Sequence, residues 1–392
     1  MGLKRVEVKA PFILIRTERL LSLMDRLGGA KLSKPVSTLI LYLLPLISGF
    51  SAYLLLQTML STIQSQEVRE IGRQIGLSSY VLIPGLNPYL PILYGWIGIV
   101  VGVAVHEISH GIVARSKGME VKSTGLLLLG PIPVGAFVEI DEEELKRSGV
   151  RSSVSVLSAG PSSNVLLALL SLALLLVVVS GMRPLVDGLL VVGVLDGYPA
   201  KDAGVMPKDV IVEVNGVEVR NFTTLSELVK EDGLLELKLY RPSSGFLDVK
   251  LKPKPTEKGT MMGVQLLELR SWDRLRRYER EAVLNPMINF VPPTMAYGFF
   301  PFSPPFCDFY SHPLGPSYRY LAELLYWTWF VNVNVGIFNA IPIYPLDGGK
   351  ALKFALDPIK LGKRAKEAIT LGLSLFFLSV ILLIVFGPYI LS

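Results

Sequence analysis

The sequence predicts a polytopic α-helical membrane protein of about five to six spans with one α/β module inserted between them. Three observations lead there. Hydrophobic residues make up 51% of the 392 residues, and the mean hydropathy of +0.48 lies above the balance of soluble domains. Charged residues, 18% of the chain, collect between long apolar runs, as they do in a chain that crosses a bilayer repeatedly. From about Leu189 to Leu267 the texture changes to short β-rich runs separated by turn signals, which suits a module folded in water.

Taken in order, residues 1–35 are polar and basic and lack a signal-peptide cleavage pattern, so they read as a retained cytoplasmic segment. Residues 36–60 form the first span, with Pro45 and Gly49 placed to bend it. Ser61 to Pro88 is mixed and nearly charge-balanced, which fits an extracytoplasmic loop. Residues 90–182 form the membrane core, beginning with an apolar helix over Tyr94–Arg115 that ends in Arg115 and Lys117. Thr124–Ile140, TGLLLLGPIPVGAFVEI, is too short and too rich in Gly and Pro for a spanning helix. It reads as a hairpin dipping into the membrane beside that helix, or equally as a strand pair outside it. Val154–Ser180 is the next span, with Asn164 as its conspicuous polar residue.

Residues 188–268 carry the runs GLLVVGVL, DVIVEVNGVEV and LELKLYR. Turns are expected at Asn215-Gly216 and Asp232-Gly233, and a helix over Thr224–Lys230. Residues 269–316 are rich in Pro and aromatics and read as an interfacial or capping segment, because the prolines are too dense for a span. Residues 317–349 hold a core span over Tyr318–Ala340 and the stretch FNAIPIYPLDGG. Residues 350–368, a Lys-rich cytoplasmic link, lead to the last span in 369–392.

Composition also excludes partners and chemistries. The formal charge of +6 comes with no basic run interleaved with aromatics, so the cations serve as topology signals and not as a nucleic-acid surface. The single cysteine, Cys307, permits neither an internal disulfide nor a cysteine-based metal site.

His106, Glu107 and His110 stand in the second half of the Tyr94–Arg115 helix. Ionisable groups in hydrocarbon are costly, so such a cluster points to function. On a helix, positions i and i+4 share a face; in His-Glu-x-x-His both imidazoles reach one Zn²⁺ and the intervening Glu can take a proton from an attacking water. Gly98 and Gly102, with Gly95 and Ala104, leave one face small enough for close helix packing. Read blandly, the histidines would be incidental to that packing.

A catalytic zinc needs a third protein ligand. The metzincin continuation fails, because the required position is Ser116. Glu139 would complete a thermolysin-like set, and His312 is the one remaining histidine. Asp347 fits better, since it closes a membrane span and precedes Gly348 and Gly349, although Asp-Gly is also a common turn pair. With the N-terminus inside, the His-Glu helix runs inward and residues 188–268 lie outside; the span Tyr318–Ala340 then brings Asp347 to the side of the histidines.

Together these stretches resemble the site-2 proteases, intramembrane zinc metalloproteases. The resemblance rests on HEISH in a membrane helix, GPIPVGAFVEI after it, AGPSSN opening the next span and FNAIPIYPLDGG near the end. Gly197–Val219, GYPAKDAGVMPKDVIVEVNGVEV, is similar to the centre of a PDZ domain, with Lys208 where that turn usually has Gly. The resemblance implies zinc ligation by His106, His110 and Asp347, a general-base role for Glu107, and support of the site or substrate by Asn339 and Asn164. It implies a multi-pass protein of the cell membrane, with the PDZ-like module extracytoplasmic and open to a peptide or protein ligand. The expected activity is hydrolysis of peptide bonds within or near transmembrane segments of membrane-protein substrates. The alternatives are an inactive membrane scaffold that recruits partners through the module, and a zinc peptidase acting on soluble substrates.

Overall fold

The computed structural model describes every residue except 1, 2, 10, 19, 130, 131, 230–232, 258, 297 and 392. Lys230, Asp232 and the hairpin turn at 130 and 131 therefore lie outside the described residues. The chain forms two compact units, one of Met1–Ala173 with Leu324–Ser392 and one of Leu174–Glu323.

The first unit opens with strands β1 (Leu3–Lys9) and β2 (Phe12–Thr17), then α1 (Leu21–Gly28) and the long α2 (Ser33–Gln64). Helix α3 (Gln66–Ile75) follows, its first turn capped by Ser65 Oγ, which accepts from Val68 N. Then come α4 (Ile92–Ser116), the hairpin β3 (Val121–Leu129) and β4 (Ile132–Ile140), α5 (Glu142–Arg147) and α6 (Val150–Ser180). Asp141 caps α5 by accepting from the amides of Glu143 and Glu144. The four strands form one antiparallel sheet in the order β1-β2-β3-β4. Residues 1–35 are thus more than a polar leader, because they supply half of this sheet, with Phe12 opposite Leu129 and Thr17 opposite Thr124. Each backbone N–H and C=O along β3 needs a partner, and β4 alone satisfies only one edge.

Helix α4 is held from several sides. Met24 of α1 is fully buried with Val113, Ala114, Met119, Val121, Val156 and Ala159. Serines of α2 donate to carbonyls of the helix Tyr318–Ala340, Ser48 Oγ to Ala340 O at 2.5 Å and Ser51 Oγ to Ile337 O at 3.0 Å.

The second unit contains β5 (Arg183–Pro184), β6 (Gly188–Val194), α7 (Pro199–Asp202), β7 (Val210–Val214) and β8 (Val217–Glu218). It continues with α8 (Phe222–Val229), β9 (Leu235–Arg241), β10 (Gly245–Leu251), β11 (Lys254–Thr256), β12 (Gly259–Met261), β13 (Val264–Leu269), α9 (Ser271–Leu284) and β14 (Tyr310–Ser311). The main sheet runs β10-β9-β7-β6-β13, with β8 on β7. Alternate residues Leu235, Leu237 and Leu239 face a core that also holds Leu189, Val191, Ile211 and Leu225. Asn215 (φ 52°) and Gly216 (φ 75°) turn the chain between β7 and β8 in the left-handed region, as an Asn-Gly hairpin requires. Lys208 holds φ 76° at the position noted for lacking Gly, a conformation that costs a side-chain-bearing residue about 1–2 kcal/mol. Its Nζ is tied to Asp308 at 2.8 Å.

Of residues 269–316, α9 takes the charged beginning, and from Pro286 on the segment folds as short turns around buried aromatics. Phe299, Phe300 and Phe302 surround the ring of Tyr278 of α9. Phe306 and Phe309 pack with Val186, Leu190, Val210 and Leu269 of the module. The segment is therefore an extension of the module's own core.

The chain ends with α10 (Tyr318–Ala340), α11 (Asp347–Ala355) and α12 (Lys363–Ile390). Helix α11 takes up the first part of the stretch expected as a basic link. Among the described residues α2, α4, α6 and α12 are long and apolar enough to cross a membrane. The 25 residues of α4 rise about 37 Å at 1.5 Å each, which exceeds the hydrocarbon thickness. Outer faces such as Leu39, Leu46, Leu371 and Leu375 are exposed, which suits helices solvated by lipid. Helix α10, of 23 residues, is not among the four; it carries Arg319, Glu323 and several asparagines.

Cys307 is 4% exposed, and burial pushes its thiol up to about 11. At pH 8 only about a thousandth of such thiols ionise. Maleimide labelling of the native protein should therefore leave Cys307 largely unmodified over an hour, and denaturant should make it fully reactive. Rapid native labelling would show that this core opens.

Candidate metal centre

The i, i+4 spacing on α4 puts His106 and His110 on one face, with ring centroids 4.8 Å apart. Both are 8% exposed. Asp347 arrives as the first residue of α11, where a carboxylate is favoured by the helix N-terminus. Its Oδ2 lies 3.0 Å from His106 Nε2 and 3.3 Å from His110 Nε2. Gly348 and Gly349 serve this placement by size. Neither has positive φ, but a Cβ on Gly348 would overlap the backbone at Ala340, and one on Gly349 that at Ile343.

The outer nitrogens of the two rings decide what this cluster can hold. His110 Nδ1 lies 2.7 Å from Val156 O, a carbonyl that can only accept, so Nδ1 carries a proton. His106 Nδ1 lies 2.6 Å from Asn164 Oδ1. The amide nitrogen of Asn164 is committed elsewhere, to Gly102 O at 3.1 Å and to Asn332 Oδ1 at 2.8 Å. His106 Nδ1 therefore also donates. In the neutral rings both Nε2 atoms are left as bare lone pairs facing a carboxylate oxygen, a repulsion that either a proton on Nε2 or a cation between the three atoms relieves. Around a tetrahedral zinc with bonds of about 2.0–2.1 Å, ligand atoms stand about 3.3 Å apart. The Nε2–Oδ2 distances and the nitrogen and oxygen donor set fit such an ion. The three donor atoms all lie within 4.8 Å of one another.

Glu107, the next residue on α4, projects toward β4, and its Oε2 accepts from Val138 N at 3.0 Å. That bond holds the carboxylate against the edge of the sheet and leaves its second oxygen unengaged by Val138.

Other expected residues fall elsewhere. Glu139 is bound by Arg16 and by Ser123 Oγ, so it serves the sheet. His312 is stacked on Tyr318 and bonded to Val178 O. The hydrogen bond of Asn339 runs from Nδ2 to Val335 O within α10. Asn332, two turns earlier, does enter the network. It was missed because nothing local separates it from Asn334; the one hint was the small face at Gly98 and Gly102, which receives it. Gly160 was missed as well. A Cβ there would overlap Nε2 of both histidines, so α6 approaches the cluster with bare backbone.

The comparisons with known proteins agree with this chemistry. The sequence pattern of peptidase family M50 matches residues 94–299 and 310–384, and the chain belongs to that family, the site-2 protease family. It is a membrane metalloprotease whose cofactor is Zn²⁺. Among its relatives, an uncharacterized protein of Methanocaldococcus jannaschii is 24% identical over 340 residues, 86% of this chain and 75% of the relative. The regulator of sigma-W protease RasP of Bacillus subtilis is 26% identical over 262 residues, 59% of this chain and 57% of RasP. The zinc metalloprotease RasP of Bacillus licheniformis is 26% identical over 263 residues, with the same coverage of 59% and 57%. The chain thus spans little more than half the length of the RasP proteins.

Gly160→Ala should cut zinc affinity at least about tenfold, because a methyl group would displace the coordinating edges of both rings. Chelator competition on the purified protein measures this. Unchanged affinity would mean that α6 can retreat from the cluster.

Proposed function

We propose that the protein is an intramembrane zinc endopeptidase that hydrolyses peptide bonds within or near transmembrane segments of membrane-protein substrates. The observation that carries this reading is the convergence of two tautomer-defined histidines on α4, a helix apolar enough to cross a bilayer, with the carboxylate of Asp347 from α11 and with Glu107 adjacent. Regulated intramembrane proteolysis is the setting we infer from the name of the Bacillus subtilis relative, regulator of sigma-W protease RasP.

His106, His110 and Asp347 would hold the metal, His106 and His110 through Nε2. When bound, zinc acidifies water and polarises the scissile carbonyl. Glu107 takes the proton of the attacking water and returns it to the leaving amine, which needs an acceptor fixed in place and able to change protonation state. Its bond from Val138 N supplies the fixing. Because Val138 N turns to Glu107 and not to β3, the free edge of β4 runs beside the base. An unwound substrate segment can satisfy its backbone groups along such an edge. A helical substrate must first lose its own hydrogen bonds, so helix-weakening residues near the cut should favour cleavage.

We further infer a multi-pass topology with α10 as a fifth, more polar span, the N-terminus cytoplasmic and residues 188–268 extracytoplasmic, from the basic residues of 350–368: Lys350 and Lys353 in α11, Lys360 between the helices, and Lys363, Arg364 and Lys366 in the first turn of α12. The module is read as PDZ-like, and its free sheet edges suit strand addition by a peptide.

Glu107→Gln should retain about one zinc per chain and lose activity at least about 100-fold. His106→Ala and Asp347→Ala should lose both metal and activity. The substrate is a detergent-solubilised membrane-spanning peptide, with casein as the soluble comparison. Normal turnover by Glu107→Gln would remove the base from the mechanism, and preferential cleavage of casein would remove the intramembrane reading. A zinc-loaded wild type that leaves both intact would favour the scaffold alternative.

A further inference from the structure

We propose that Asn332 is a positioning residue which, acting through Asn164 and together with Gly102 O, sets which nitrogen of His106 is left free for zinc. The inference rests on the reading of His106 as a metal ligand and adds a residue from a third helix to it. Asn332 is fully buried on α10. Its Nδ2 donates to Thr328 O at 2.8 Å and to Gly98 O at 3.4 Å. Carbonyls only accept, so these two bonds fix the orientation of the amide and aim Oδ1 the other way. There it accepts from Asn164 Nδ2 at 2.8 Å. The second N–H of Asn164 goes to Gly102 O at 3.1 Å, so both amide protons of Asn164 are committed. Its Oδ1 is thereby turned to His106 Nδ1, 2.6 Å away, as an acceptor.

Gly102 O and Asn332 Oδ1 together hold the Asn164 amide in this orientation. Without Asn332, one of these two acceptors is lost and Gly102 O is left to oppose rotation of the amide. Rotated by half a turn, its amide would donate to His106 Nδ1 and move the ring proton to Nε2, where it blocks coordination. The close approach needs Gly102, since a Cβ there would lie 2.6 Å from Asn332 Oδ1. The small face of α4 thus serves two purposes: it lets α10 pack, and it admits the amide that sets the ligand's tautomer. Asn334 is the natural control on the same helix, because its Nδ2 bonds back to Phe330 O at 2.7 Å, one turn earlier on α10 itself.

The test uses the full chain in detergent and reads zinc affinity by competition with a chromophoric chelator, together with the visible spectrum of the Co²⁺-substituted protein. Asn332→Leu should weaken zinc about 10–100-fold and alter the Co²⁺ bands, whereas Asn334→Leu should change neither. Asn332→Thr, which keeps a hydroxyl acceptor, should fall between, and it replaces the leucine variant throughout if that one does not fold. In an Asn164→Leu background, Asn332→Leu should add no further loss, because the relay is already cut. Additive losses would mean that Asn332 merely packs, and would overturn the assignment. Unchanged affinity in Asn332→Leu, with Asp347→Ala empty, would overturn it while leaving the ligand set standing. Full zinc content in Asp347→Ala would overturn the ligand set and the assignment together.

Discussion

A polar group placed in an apolar helix has no water to turn to, so every donor and acceptor around His106 and His110 must find a protein partner. That constraint organises the first unit. It brings Val156 O to one ring and Asn164 to the other, recruits Asn332 to orient Asn164, and requires Gly102 and Gly160 so that neighbouring helices can come close enough. Once these bonds are made, the Nε2 atoms of the two rings are left pointing at Asp347. The environment that makes the histidines expensive to bury is the same one that leaves them ready for a cation.

The two units solve the burial problem differently. In the first, long helices keep apolar outer faces exposed and bury small or polar residues inward, as lipid-solvated packing demands. In the second, a sheet and an aromatic cluster around Tyr278 build a core of the ordinary water-driven kind. The Pro-rich segment belongs to the latter. Phe306 and Phe309 fill the face of the module that Leu190 and Val210 present, so the module as a folding unit extends beyond the residues that its strand pattern marks.

Much was legible from residue order alone. His-Glu-x-x-His announces its geometry because helix periodicity is local, and hydropathy marks the long helices because the bilayer demands length. Asn215-Gly216 announces its turn because positive φ is a property of those two residues. The N-terminal strands were not legible: their basic composition suits a cytoplasmic leader, and the reason they are strands is the open edge of β3, a hundred residues away in sequence. Glu139 carries suitable chemistry near a suitable motif, yet cross-strand pairing claims it.

By itself, then, the sequence determined the ligand types, the helix that carries two of them, the need for zinc-like chemistry in an apolar setting, and the change of texture at the inserted module. These follow from spacing within one element and from side-chain chemistry, which folding does not alter. Only the tertiary structure decided that Asp347 and not Glu139 or His312 lies against the histidines, that Val138 tethers Glu107, and that Asn332 rather than Asn334 or Asn339 joins the network. Each of those is a choice among chemically equivalent residues, and only the direction in which a helix or strand presents its side chains to its neighbours separates them.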